Sequence, residues 1–132
     1  MEDCLFCKIV SGEIPSYKIY EDEDVLAFLD ISQTTKGHTL VIPKKHAKDI
    51  YEIDDESMAK VYKVARKLAN TLSEKLNANG INLLNNNKVD AGQTVFHYHV
   101  HLIPRYDKDD KFVVNFLENE NSNIEDTHNL LK

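Results

Sequence analysis

The sequence predicts an α+β domain with a mainly antiparallel sheet, one long helix and a short N-terminal helix. Three observations carry that expectation. Apolar residues recur at spacings of three and four between Asp55 and Leu76, as on one face of a helix. Short strand-like runs rich in β-branched and aromatic residues lie on both sides of that stretch. The runs are bounded by acidic, Asn/Gly or Pro punctuation, which suits turns between neighbouring strands.

Taken in order, Cys4 to Val10 has room for one helical element, which Gly12 ends. Tyr17 to Glu21 and Val25 to Asp30 read as strands joined through the acidic turn Asp22-Glu23-Asp24. A third strand, His38 to Ile42, is closed by Pro43, which has no N–H to donate to a ladder. In the long helix, Met58, Val61, Ala65, Leu68, Leu72 and Leu76 form the apolar stripe. Asp54 suits its N-cap, Asp55 and Glu56 complement the dipole in its first turn, and Asn79-Gly80 offers left-handed residues to end it. Ile81 to Asn85 then reads as a strand, Asn86 to Gln93 as a polar loop containing Gly92, and Thr94 to Ile103 as a longer strand stopped by Pro104. The domain spans residues 1–106. Residues 107–132 form a polar, acidic tail in which Phe112, Val113, Val114 and Phe116 offer an edge segment or a surface for a partner, followed by a short terminal helix.

At 132 residues the chain is long enough to bury a single core. Its net charge of −6 and the lack of a basic run argue against a general nucleic-acid surface, so any phosphate must be held by local donors. No apolar stretch approaches the ~20 residues of a membrane span, and the acidic Met1-Glu2-Asp3 start does not resemble a signal peptide. A cytoplasmic protein is therefore expected. In a reducing compartment the lone Cys4-x-x-Cys7 pair suits a metal clip or a redox pair better than a structural disulfide.

The segment with the most chemistry is His97-Tyr98-His99-Val100-His101. If it is a regular strand, the three histidines share one face, while Phe96, Tyr98, Val100 and Leu102 share the other and anchor in the core. Three successive same-face imidazoles suit a solvated His-rich face, a three-imidazole metal site or phosphorus chemistry. The third is favoured, because a neutral imidazole is a good nucleophile near neutral pH once a backbone carbonyl fixes its tautomer. A flanking histidine can then stabilise phosphate charge or pass a proton to the leaving group. Gly92, Gln93, Thr94 and Asn86 add close backbone approach and neutral donors within a dozen residues.

His97-Tyr98-His99-Val100-His101-Leu102-Ile103 resembles the His-φ-His-φ-His-φ-φ signature of the histidine triad (HIT) superfamily, φ being apolar. The stretches Ala27 to Ser32, Gly37 to His46 and Ala91 to Phe96 also resemble its Hint-like branch in bacterial form. The resemblance implies a HIT-like fold, a homodimer, and hydrolysis of nucleoside phosphoramidates or related nucleoside 5′-phosphates. Hydrolysis of dinucleoside polyphosphates, or a regulatory nucleotide-binding module with weak catalysis, is the alternative. It makes His99 the nucleophile that becomes nucleotidylated and His101 a contact to the α-phosphate. Asn86, Gln93 and Thr94 serve the phosphate and leaving-group side. Asp30 holds the ribose, and Ile14, Phe28 and Ile31 form a slot for a purine base. In relatives with the Cys-x-x-Cys pair it implies a structural zinc ion on Cys4, Cys7, His46 and His97, with no metal needed for the chemistry. Many Hint-type proteins end in a Trp-Pro-Pro-Gly-like tail; this chain has no tryptophan.

Overall fold

The computed structural model describes residues 3–132; Met1 and Glu2, which open the predicted 1–106 unit, lie outside the described residues. The elements run α1 (Leu5–Val10), β1 (Lys18–Glu21), β2 (Val25–Leu29), β3 (Thr39–Pro43), α2 (Asp55–Leu76), β4 (Gly80–Leu84), a 3-10 turn (Val89–Ala91), β5 (Val100–Arg105) and α3 (Ile124–Leu131). The five strands form one sheet in the order β1-β2-β3-β5-β4, every neighbouring pair antiparallel. The predicted fold class is the observed one.

Alternation along the central strands sends side chains into two separate cores. Val25 and Ala27 of β2, Val41 of β3, and Val100 and Leu102 of β5 pack on the α2 stripe of Val61, Val64, Ala65, Leu68 and Leu72. On the opposite face, Leu26 and Phe28 of β2 and Leu40 and Ile42 of β3 pack against Phe6 and Ile9 of α1. Strands covered on both faces carry continuous apolar runs, as β2 and β3 do. By the same alternation His101, between Val100 and Leu102, faces the α1 side.

Helix α2 has the bounds the sequence predicts, and the Asp54 carboxylate accepts from the Ser57 N–H as its N-cap. Its end differs. Asn77, not Asn79-Gly80, takes the left-handed conformation (φ 56°), and Gly80 already belongs to β4. The last strand differs more. It starts at Val100, not Thr94, because the Tyr98 N–H donates to Ala47 O instead of entering a ladder. It also runs through Pro104 to Arg105. The β3–β5 pairing ends at Leu102, so Pro104 lies beyond it, opposite Ile81 of β4 alone. The predicted edge segment around Phe112 to Phe116 forms no strand, whereas the short terminal helix is present. Among the described residues no helix is long and apolar enough to cross a membrane.

The loop into β3 is packed through Gly37. Its φ is +90°, and an added Cβ would lie 2.5 Å from Leu76 Cδ1 and 3.3 Å from Pro104 Cγ. Gly37→Ala is therefore expected to destabilise the domain by about 1–3 kcal/mol through overpacking and backbone strain. Asp54→Ala should cost about 1 kcal/mol through loss of the cap. Urea unfolding of both variants checks the sizes and their order.

Candidate active site

Because β5 begins at Val100, His97 and His99 lie in the irregular segment before it, and only His101 is on the strand. The single-face strand expected for all three histidines is thus corrected. Phe96 is also corrected: it is 45 % exposed, while Tyr98 and Val100 anchor in the core as expected. The irregular backbone gives the three rings different surroundings, and each surrounding has a different consequence.

His97 is fully buried and its Nε2 lies 2.7 Å from Pro43 O. A carbonyl only accepts, so Nε2 carries the hydrogen and the Nδ1 lone pair is left free. That lone pair faces three other donors. Nδ1 of His97 is 3.4 Å from Cys4 Sγ, 3.6 Å from Cys7 Sγ and 3.2 Å from His46 Nδ1, and Cys7 Sγ is 3.3 Å from His46 Nδ1. The four ligand atoms all lie within 4.8 Å of one another. Zinc bonds of about 2.0–2.1 Å to nitrogen and 2.3 Å to sulfur give tetrahedral edges of about 3.5 Å, so the residues present fit such an ion. The Pro43 carbonyl is the outer partner that orients a metal-binding imidazole.

His99 is held in the other tautomer. Its Nδ1 donates to His97 O at 2.7 Å, which leaves the Nε2 lone pair free. The edge of Phe6 meets its ring, with centroids 5.1 Å apart. Burial lowers its pKa below the ordinary imidazole value, so the ring is neutral at pH 7.

His101 lies 5.0 Å from His99, centroid to centroid, and its Nδ1 is 2.9 Å from His38 Nε2. The Thr34 N–H points at His38 Nδ1 at 3.4 Å. Since that N–H can only donate, His38 carries its hydrogen on Nε2 and gives it to His101 Nδ1. His101 then presents Nε2–H as a donor. Burial, then the neighbouring His99 and His38, push the His101 pKa down to about 4. Asp30 Oδ2 stands 3.8 Å from His38 Nε2. The sequence reasoning missed His38. Its place one alternation before Leu40, which pairs directly with His101, was the signal that could have found it.

Four of the predicted binding residues come together. Ile14, Phe28, Asp30 and Ile31 line one cleft of about 250 Å³, with Phe6, Ile9 and Leu40 as further walls. Ile31 sits at its mouth, 87 % exposed, and Phe28 is buried in its wall. Phe6 was also missed, although Leu5, Phe6 and Ile9 already stand at helical spacing in the sequence. Thr94 lines a neighbouring groove with Lys48 and Phe96. Asn86 sits under Gly92, its Nδ2 3.4 Å from where a Cβ would be. Gln93 departs from expectation. Its amide donates to Lys48 O and Val95 O and accepts from the Lys88 N–H, so both amide hydrogens serve to brace the loop and neither is left for a phosphate.

An antiparallel α+β sheet that ends in three differently held histidines beside an apolar cleft defines the histidine-triad class of protein. The chain belongs to the HIT domain family, whose profile matches residues 11–108. It is 57 % identical over 111 residues to Protein hit of Bacillus subtilis (84 % of this chain, 77 % of that one). It is 45 % identical over 102 residues to the adenosine 5′-monophosphoramidase hnt1 of Schizosaccharomyces pombe (77 % and 74 %). Among solved structures, a HIT family protein from Bacillus anthracis superposes with a TM-score of 0.91 at 51 % identity, covering 98 % of this chain and 92 % of that one. A Zn-bound histidine triad family protein from Mycobacterium smegmatis gives 0.79 at 45 % identity, covering 82 % and 78 %.

The tautomers are directly measurable. Nitrogen-15 NMR of the imidazoles at neutral pH should show a protonated Nδ1 and a bare Nε2 in His99, and the reverse in His97 and His101. A His99 ring protonated on Nε2 would contradict the hydrogen-bond assignment.

Proposed function

We propose that the protein is a nucleotide hydrolase that cleaves nucleoside phosphoramidates, or related nucleoside 5′-phosphate derivatives, through a nucleotidyl group carried on His99. The observation that supports this most is the His99 Nδ1–H bond to His97 O, which leaves Nε2 as a neutral lone pair on a ring in contact with Phe6, a wall of the cleft. In the first step Nε2 bonds to the α-phosphorus while the bond from phosphorus to the leaving amine or phosphate breaks. The Nε2–H of His101 contacts the phosphate oxygens, and the leaving group takes up its proton from solvent. In the second step water attacks phosphorus, the bond to His99 breaks to restore its Nε2 lone pair, and the proton of the attacking water passes to solvent. Asp30 accepts from the ribose hydroxyls, and Phe28, Ile14 and Ile31 cover a purine base. Thr94 and Asn86 border the leaving-group side. The name of the fission-yeast relative supports the phosphoramidate as substrate type.

One observation favours a larger leaving group. The groove beside Thr94 measures about 430 Å³ and carries Lys48 and Asp3 with apolar Leu5, Val95 and Phe96, bordering Cys4 and His46. A second nucleoside phosphate suits it, as dinucleoside polyphosphate hydrolysis requires, and side-by-side turnover of both substrate types decides. His99→Ala should lower turnover at least about 1,000-fold while leaving nucleotide binding largely intact. Brief exposure of the unaltered protein to an adenosine phosphoramidate, followed by acid quench, should show one nucleotidyl mass on His99. Retained affinity with no such adduct would favour a regulatory binding module instead.

Cys4, Cys7, His46 and His97 are proposed to hold zinc, in line with the Zn-bound mycobacterial relative. All four positions would be protein ligands, so the ion would be structural, tying α1 to the segment that carries His99. Metal analysis of protein purified without chelator should find about one zinc per chain. Cys7→Ser should lose it and melt at lower temperature. A metal-free protein of unchanged stability would remove this assignment. A homodimer is proposed as the assembly.

A further inference from the structure

Three consecutive asparagines, Asn85-Asn86-Asn87, follow β4, and all three are half-buried. Asn86 sits under Gly92, and its amide makes no hydrogen bond among the described residues. The two flanking amides are engaged. Asn87 Oδ1 accepts from the Ile50 N–H at 2.7 Å, and Asn87 Nδ2 donates to Asn85 Oδ1 at 2.8 Å and to Asn85 O at 3.3 Å. Asn85 Nδ2 donates in turn to His99 O at 3.0 Å. One line of hydrogen bonds therefore runs from the loop between β3 and α2 to the backbone of His99.

The direction of this line is set from one end. A backbone N–H can only donate, so the Ile50 N–H must meet the oxygen of the Asn87 amide. Asn87 then turns its NH₂ to Asn85, which answers with its oxygen and turns its own NH₂ to His99 O. The last bond stands where the sheet gives out. Leu83 pairs with Leu102 and Leu84 with His101, so the same register would put Asn86 opposite His99. The pairing stops at Leu84, and the Asn85 side chain meets His99 O instead. His99 is thus tied twice, its ring to His97 O and its own carbonyl to Asn85. Asn86, the one amide of the three left unengaged, is kept out of the ladder.

We propose that Asn85 and Asn87 are positioning residues for His99, holding its backbone so that Nε2 stays aligned with the phosphorus it attacks. This rests on the reading of His99 as the nucleophile. Both asparagines act through His99 and not on the substrate. A nucleophile that must form and then break a bond to phosphorus loses rate steeply when displaced, on the order of 100-fold for about 1 Å. The line also ties the loop that carries Asn86 to the segment that carries His99, which fixes the phosphate side relative to the attacking nitrogen.

The test uses Asn87→Asp in the full chain. A carboxylate still accepts from the Ile50 N–H but cannot donate, so Asn85 turns its NH₂ to the new carboxylate and sets an oxygen against His99 O. The rate at which a nucleotidyl mass appears on His99 from an adenosine phosphoramidate should fall about 10- to 100-fold. Affinity for the product nucleoside monophosphate should change by less than about 2-fold, since the loss falls on the chemical step. Asn85→Ala should give a similar fall, and the double variant no more than either alone, because both changes remove one bond. The His99 carbonyl carbon-13 resonance should move in each variant, and urea unfolding checks that each is folded. A moved resonance with an unchanged rate would overturn the positioning role, and an unmoved resonance would overturn the relay. Weakened nucleotide affinity at an unchanged rate would make the asparagines binding residues and overturn the proposal. Absence of a nucleotidyl mass on His99 in the unaltered protein would remove the nucleophile and this role with it, even where the resonance shift shows the relay bond.

Discussion

Two backbone carbonyls set the imidazole tautomers of the candidate site. Pro43 O takes the Nε2 hydrogen of His97, and His97 O takes the Nδ1 hydrogen of His99. Neighbouring imidazoles two residues apart are thereby locked in opposite tautomers. One points its lone pair at two cysteines and His46; the other keeps a free Nε2 lone pair on a ring that Phe6, a wall of the cleft, meets edge-on. Neither bond needs a charged group, which matters because burial keeps these rings neutral. The free Nε2 of His99 thus depends on backbone geometry.

That geometry requires the chain not to be a strand where the sequence looks most like one. In a regular ladder His97 O and the Tyr98 N–H would pair with a neighbouring strand. Instead the Tyr98 N–H reaches Ala47 O and His97 O turns back to His99. The ladder resumes at Val100, where Val100 and Leu102 enter the core against α2 and His101 meets the opposite face. Gln93 braces the approach from the other side through Lys48 O. The irregular segment is thus held at both ends and in the middle by ordinary hydrogen bonds to rigid neighbours, which suits a site that must not relax into a strand.

The short α1 does more for the site than its length suggests. Phe6 closes the core over β2 and β3, meets the edge of His99, and walls the cleft, while Cys4 and Cys7 on the same turn face His97 and His46. The cysteine–histidine cluster, the His99 ring and the apolar cleft therefore all touch one helical turn. A six-residue helix cannot hold itself in place, so its docking relies on Phe6, Ile9 and the cysteine–histidine cluster. His38 and His101 form a second, separate unit across β3 and β5, where the Thr34 N–H sets the direction of both rings.

Much was legible in the residues themselves. The apolar stripe of α2, its Asp54 cap and the runs of β1 to β4 are local patterns, and local patterns survive folding when the tertiary structure agrees with them. The histidine spacing, and the grouping of Ile14, Phe28, Asp30 and Ile31 on one cleft, were legible through the HIT resemblance. Tertiary structure alone decided the rest. The start of β5, the exposed Phe96, the engaged amide of Gln93 and the His38–His101 pairing all depend on partners far away in sequence: Ala47, Lys48, Pro43 and Thr34. A residue's type shows that it can donate or accept a hydrogen bond; only the fold shows which atom stands opposite, and for an imidazole that choice decides which nitrogen is free to react.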